Sequence, residues 1–190
     1  MLSYYTATTL DGFIADADDS LEWLLRQPID QSGPFSFEHF IKGIGAIVMG
    51  STTYRWVRKH LVHAGEPWPY SMPCWVMSSG EQEPVDGGDI RFANGDVRPV
   101  YERMTRAAGD KGLWVVGGGD LAGQFADAGL LDEVIVSIAP VTLGTGRPVL
   151  PRRLDLELIE LVRNEAFACA RYRVAGTLAE DSGEPIGATA

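Results

Sequence analysis

The sequence predicts a single α/β domain in which a mixed sheet is covered by helices on both faces. Two patterns carry that reading. Short, wholly apolar runs such as "GAIVMG" (45–50), "CWVM" (74–77) and "LWVV" (113–116) are too brief for helices and read as buried strands, and helix-like segments alternate with them over the first two thirds of the chain. Towards the end, "LDLELIELVR" (154–163) alternates strictly and "NEAFACARYRVAG" (164–176) brings the chain back, which reads as an antiparallel hairpin with a turn at Asn164-Glu165. A length of 190 residues fits one domain with a sizeable core.

The elements follow in order. "LSYYTAT" (2–8) is aromatic and β-branched, a strand; Asp11-Gly12 makes a turn, and "FIA" (13–15) a short extended piece. Asp19 stands three residues before Glu22, the spacing of a capping box, so "LEWLLRQ" (21–27) reads as a short helix stopped by Pro28. Phe37, Phe40, Ile41 and Ile44 recur at helical intervals and give a second helix ending near Gly43. "STTYRWVRKH" (51–60) opens with hydroxyl residues suited to a helix start, and "HAGEPWPYSMP" (63–73) is a proline-broken loop. "DIRFA" (89–93) is a strand, Asp96 is placed to cap the helix "VRPVYERMTRAAG" (97–109), and Pro99 falls in its first turn, where the missing N–H does little harm. "LLDEVIVSIAPVTLG" (130–144) is a strand ending near Pro140. The domain is expected over residues 1–176, with a flexible tail over 177–190, which is small and polar.

The formal net charge of −10, with no lysine- or arginine-rich run, argues against nucleic acid as a partner. No apolar run approaches the roughly 20 residues of a membrane span, and the start lacks the pattern of a signal or transit peptide, so a soluble cytoplasmic protein without membrane contact is expected. Cys74 and Cys169 lie in apolar runs and read as buried free thiols; His39, His60 and His63 have no metal-site spacing, and no metal is expected. Most of the five tryptophans are expected in the core, while Trp23 and Trp68, near loops expected to border the pocket, are the two placed to stack on a flat ligand.

The chemistry points to glycines. "LWVVGGGDLAGQF" (113–125) passes from strand to helix through three glycines, and Gly117, Gly119 and Ala122 match the G-x-G-x-x-G/A dinucleotide pattern. That match alone is weak, because the acids Asp132 and Glu133 begin the next strand instead of ending it; a Rossmann-type dehydrogenase would require parallel strands after residue 125 in place of the terminal hairpin. The construction recurs, however. "IVMGSTTY" (47–54) sets Gly50, Ser51, Thr52 and Thr53 at a second strand-to-helix switch, and "WVMSSG" (75–80) ends a third strand on Ser78 and Ser79. Free N–H groups at two helix starts suit the two sides of one diphosphate.

As a set, "TLDGFIAD" (9–16), "IVMGSTTYRW" (47–56), "VMSSG" (76–80), "LWVVGGGDLAGQF" and "LLDEVIVSIAPVTLGTGRPVLP" (130–151) resemble the dihydrofolate-reductase-like family. The branch they are most similar to includes the C-terminal reductase domain of bifunctional riboflavin-biosynthesis deaminase-reductases. The resemblance covers residues 2–175. It implies a three-layer fold with a central, mostly parallel eight-stranded sheet, an antiparallel C-terminal strand, and helices on both faces. It implies an NADPH-dependent reductase (NADH being the other form) that passes hydride to a small flat heterocycle of pteridine or pyrimidine type, and a homodimer formed through the C-terminal strands. The alternative is a nucleotide-binding sensor with the same pocket and no turnover. Carried over by position, the cofactor would meet Gly118, Gly119, Asp120 and Leu121 on one side and Gly50, Ser51, Thr52 and Thr53 on the other. Ala7 and Ile14 would approach the nicotinamide, and Ser78 and Ser79 the adenosine ribose. A valine at Gly119 would then block the cofactor and spare the fold. Many relatives carry arginine where this chain has Ser51, which leaves Ser78, Ser79, Arg55 or Arg58 to favour NADPH. Glu38, the carboxylate on the helix that bears the catalytic acid in dihydrofolate reductases, is the candidate acid. Gly144-Thr145-Gly146-Arg147-Pro148 resembles the family's structural turn, with Arg147 exposed.

Overall fold

The computed structural model describes residues 1–178; residues 179–190, where most of the expected tail falls, lie outside the described residues. The chain runs β1 (Leu2–Thr9), β2 (Phe13–Ala15), α1 (Glu22–Leu25), α2 (Phe37–Lys42), β3 (Ile44–Gly50), α3 (Ser51–Ala64), β4 (Cys74–Met77) and β5 (Ile90–Ala93). It continues through α4 (Arg98–Ala108), β6 (Gly112–Gly117), α5 (Gly119–Asp127), β7 (Glu133–Ala139), β8 (Arg147–Pro148), β9 (Leu154–Asn164) and β10 (Phe167–Thr177). Eight strands form one sheet in the order β5-β4-β3-β6-β1-β7-β10-β9, and β2 pairs with β8 in a separate two-stranded piece. All pairings from β5 to β7 are parallel; β10 runs antiparallel to both β7 and β9. This is the mostly parallel eight-stranded sheet that the resemblance implied.

The two faces of the sheet follow from alternation along the strands. Ala46, Val48, Trp75, Leu113 and Val115 face α4 and α5, packing on Val100, Met104, Leu121 and Phe125. Their neighbours Ile47, Met49, Cys74, Val76 and Trp114 face the other way, onto Tyr54 and Leu61 of α3 with Phe40 and Ile41 of α2 beside them. A parallel connection is right-handed almost without exception, so the direction of each crossover decides which face its helix covers. From β3 the chain moves outward to β4 through α3. From β6 it moves the opposite way, past β1 to β7, through α5. The two helices therefore leave adjacent strands towards opposite faces.

Several local expectations are corrected. Asp19 does not cap α1: it has a positive φ of 61° in the preceding turn, and the Glu22 N–H is met by the Ser20 hydroxyl at 3.2 Å. The terminal turn is one residue later than the sequence suggests, since Asn164 still pairs with Phe167 and Glu165 takes the positive φ. Asn164 is instead a buried clamp, its amide donating to the Asp30 and Pro34 carbonyls and its oxygen accepting from the Asp30 N–H. Trp23 and Trp68 are core residues: Trp23 packs with Phe167 and Cys169, and Trp68 lies beside Tyr54 and Tyr70. Asp96 does accept a first-turn N–H of α4, from Arg98 at 3.0 Å. The terminal hairpin also removes the Rossmann-type alternative.

Candidate functional site

Where crossovers leave adjacent parallel strands in opposite directions, their helices diverge and a crevice opens beyond the strand ends. Here β3 and β6 are those strands, and Met49 lies opposite Gly117 at the end of their pairing. A cleft of about 500 Å³ opens at that point. Ile14, Gly50, Ser51, Thr52, Thr53, Gly118, Gly119, Asp120 and Leu121, all expected near a cofactor, line it. Ala7, Ser78 and Ser79 do not. Ala7 packs against the cluster around Trp23, and the Ser78 hydroxyl is turned into its own loop, donating to the Gly80 carbonyl at 2.8 Å and accepting from the Gln82 amide at 3.0 Å. Glu38 is exposed on α2 and is not part of the lining.

Both helix starts point bare backbone at the cleft. The N-cap of α3 is Gly50 and that of α5 is Gly118; both have extended backbone, and neither helix has a side chain bonded to its first N–H groups. The orphan donors of each first turn are thus free for a ligand, with the positive ends of two helix dipoles behind them. A side chain added at Gly118 would meet nothing within 4 Å, and one at Gly50 would meet only backbone at 3.8 Å. Those two glycines keep the cleft open. Gly119 is different. A Cβ there would lie 2.2 Å from the Pro148 carbonyl oxygen and 2.4 Å from that of Val149. Its bareness serves the packing of α5 on the end of β8 and the residue after it, so the expectation that valine at Gly119 would spare the fold is overturned.

Electrostatics separate the two starts. No acid stands in the first turn of α3, whereas Asp120 stands in that of α5. The Asp120 carboxylate accepts from the Gln124 amide at 2.9 Å and from Arg152 at 3.0 Å, and these bonds, the amide's first, hold it below the ordinary aspartate range. Arg152 spans the helix: its Nε reaches Asp127 at 2.7 Å, and its guanidinium fills the space a Cβ at Gly123 would need. Opposite, Arg147 forms a two-pronged pair with Asp19, Nε to Oδ1 at 2.6 Å and Nη2 to Oδ2 at 3.1 Å. Both residues line the cleft, so Arg147 is more than part of an exposed structural turn. Gly146 allows this: a Cβ there would lie 2.2 Å from the Ala15 carbonyl oxygen. Asp11 holds the same loop from below, its carboxylate accepting from the Leu143 and Gly144 N–H groups at 2.9 and 2.7 Å.

Sequence reasoning missed Asp19, Trp56, Gln124 and Arg147 as lining residues. Asp120, Gln124 and Asp127 do mark one face of a helix at i, i+4 and i+7, a readable signal. Arg147 finds Asp19 across 128 residues, which no spacing reports. Among the described residues no group of three or more His, Cys, Asp or Glu side chains would hold a metal, and no helix is long and apolar enough to cross a membrane.

The family model of the RibD C-terminal domain matches residues 1–170. Among solved structures, a candidate riboflavin biosynthesis protein of Shewanella sp. PV-4 is similar at 26% identity and a TM-score of 0.75, over 91% of this chain and 98% of that one. The Thermotoga maritima diaminohydroxyphosphoribosylaminopyrimidine deaminase/5-amino-6-(5-phosphoribosylamino)uracil reductase is similar in fold, at 16% identity and a TM-score of 0.63, over 92% of this chain and 56% of that longer one. Enterococcus faecalis dihydrofolate reductase, solved with NADP(H), is similar in fold at 15% identity and a TM-score of 0.54, over 92% and 96% of the two chains.

Proposed function

This chain belongs to the RibD C-terminal domain family, and from that premise we propose that it is an NADPH-dependent reductase of a small, flat pyrimidine- or pteridine-type heterocycle. One observation carries the reading: two uncapped helix starts on adjacent strands open, with unobstructed backbone, onto a single cleft at the point where the sheet's crossovers diverge. The similar reductase folds, one of them solved with NADP(H), support the choice of cofactor. The cofactor supplies the hydride when bound. The chain's part is to hold and orient it. N–H groups of Ser51, Thr52 and Thr53 on one side and of Gly119, Asp120 and Leu121 on the other would carry the diphosphate. Ile14, Ala15 and Val116 would keep water from the reacting face. Glu38, being exposed outside the cleft, takes no proton in this scheme, and Glu38→Gln leaves turnover unchanged.

We further propose a homodimer through β9. This edge strand is 11 residues long and leaves Leu158, Ile159 and Leu161 at least half exposed, a surface that a lone chain would present for aggregation.

The test titrates the protein with NADPH and NADH by fluorescence, then adds aminouracil and pterin acceptors while following loss of the reduced nicotinamide. Binding followed by oxidation supports the reductase. Tight binding with no oxidation by any acceptor supports the sensor alternative, and absence of binding overturns the proposal.

A further inference from the structure

Arg147 is the sole cation among the described residues lining the cleft, and in this structure an acid of the same lining neutralises it. We propose that Arg147 is a ligand-binding cation held in reserve: an anionic group settling at the start of α5 takes the guanidinium from Asp19. This rests on the reading of the cleft as a dinucleotide site and adds to it a residue and a competition.

The placement is determined by backbone on both sides. Gly146 presses the loop against the Ala15 carbonyl, and Gly119 presses the first turn of α5 against the Pro148 and Val149 carbonyls, so Arg147 is one residue from the chain that touches that helix start. The other local charges are spoken for: Asp120 is bonded to Arg152 and Gln124, and Asp16 turns its carboxylate to the Asp18 and Ser20 N–H groups. An anion arriving at the free N–H groups of α5 thus finds one cation able to answer it. The exchange is cheap, because the Arg147 side chain is 55% exposed and that of Asp19 35%, and a pair so placed in water contributes little. A diphosphate offers the same two-pronged acceptor geometry that the carboxylate does, with more charge. Asp19 holds its positive φ of 61° in the turn closed by its N–H on the Asp16 carbonyl, and it lines the cleft together with Arg147.

The sign of two substitutions tests this. NADPH affinity is measured for the parent, Arg147→Gln, Asp19→Asn and the double variant, with thermal unfolding of each as the control for folding. Arg147→Gln is expected to weaken binding roughly ten- to hundredfold. Asp19→Asn is expected to tighten it, by up to about fivefold. The double variant should match Arg147→Gln alone, since Asp19 acts only through the arginine. ADP and nicotinamide mononucleotide, titrated separately, locate the anion concerned. If Asp19→Asn weakens binding as Arg147→Gln does, the pair is a structural strap and the inference fails while the dinucleotide site stands. The same holds if neither change moves the affinity. If the parent binds neither NADPH nor NADH, the site reading falls and the inference with it.

Discussion

The starts of α3 and α5 are built alike, a buried parallel strand, a glycine N-cap in extended conformation and no side-chain cap, yet their glycines answer to different demands. At α3 the single Gly50 has room for a side chain in ordinary contact with backbone, and hydroxyl residues follow it. At α5 there are three glycines in a row, of which Gly118 borders open space and Gly119 is pressed against backbone. A glycine run beside a cleft thus mixes a binding requirement with a packing requirement, and only the neighbouring backbone tells them apart. The charges differ as well: α5 carries an acid in its first turn, already bonded to Arg152, and α3 carries none.

Substitution can break this comparison. The largest effect is expected at Gly119→Val, where two carbonyl oxygens occupy the space of the new side chain; a loss of about 3 kcal/mol of stability follows, read by urea unfolding. Gly118→Val should do the reverse, leaving the unfolding midpoint near that of the parent and weakening NADPH binding roughly a hundredfold. Equal stability losses for the two variants would erase the distinction between Gly118 and Gly119. Ser51→Arg sharpens the contrast at the other start: a guanidinium beside the bare first turn of α3 is expected to raise the preference for NADPH over NADH by about tenfold, measured as a ratio of Kd values.

The smallest effect concerns pH. The folded-state pKa of Asp120 lies below the ordinary 3.8, so its stabilising contribution is present in full above that value and is lost as pH falls through the lowered one. Asp120→Asn should therefore lower stability slightly at neutral pH and converge with the parent in acid once the carboxylate is protonated, as followed by thermal unfolding. A difference that persists unchanged into strong acid would show that the ionised carboxylate, with its bonds from Gln124 and Arg152, is not the source of the effect.

Much of this was legible in the chain itself. Apolar runs and hydroxyl-led helices reported the strands and α3 because both signals are local. The motif set reported the fold, and nine of the carried-over positions meet in one cleft because strand ends and helix starts are fixed by the same short stretches. What failed was long-range. The resemblance places Ser78 by the adenosine ribose, but its own loop turns the hydroxyl onto Gly80 and Gln82. Trp68 stands near a loop expected to border the pocket, but glycine at 88, where a Cβ would come within 2.6 Å of the indole, lets the chain close over it. The spacing of Asp19 to Glu22 suggests a capping box, yet Asp19 is the partner of Arg147.

The sequence by itself determined which segments are buried strands, where helices begin, and that two of those beginnings are stripped of side chains, since backbone preference and hydrophobic period act over a few residues. Only the tertiary structure decided which bare positions face a ligand and which face the protein's own carbonyls, and which acid each arginine finds. Those outcomes depend on how close distant segments come, and a contact between residues 19 and 147 is set by the packing of the whole sheet.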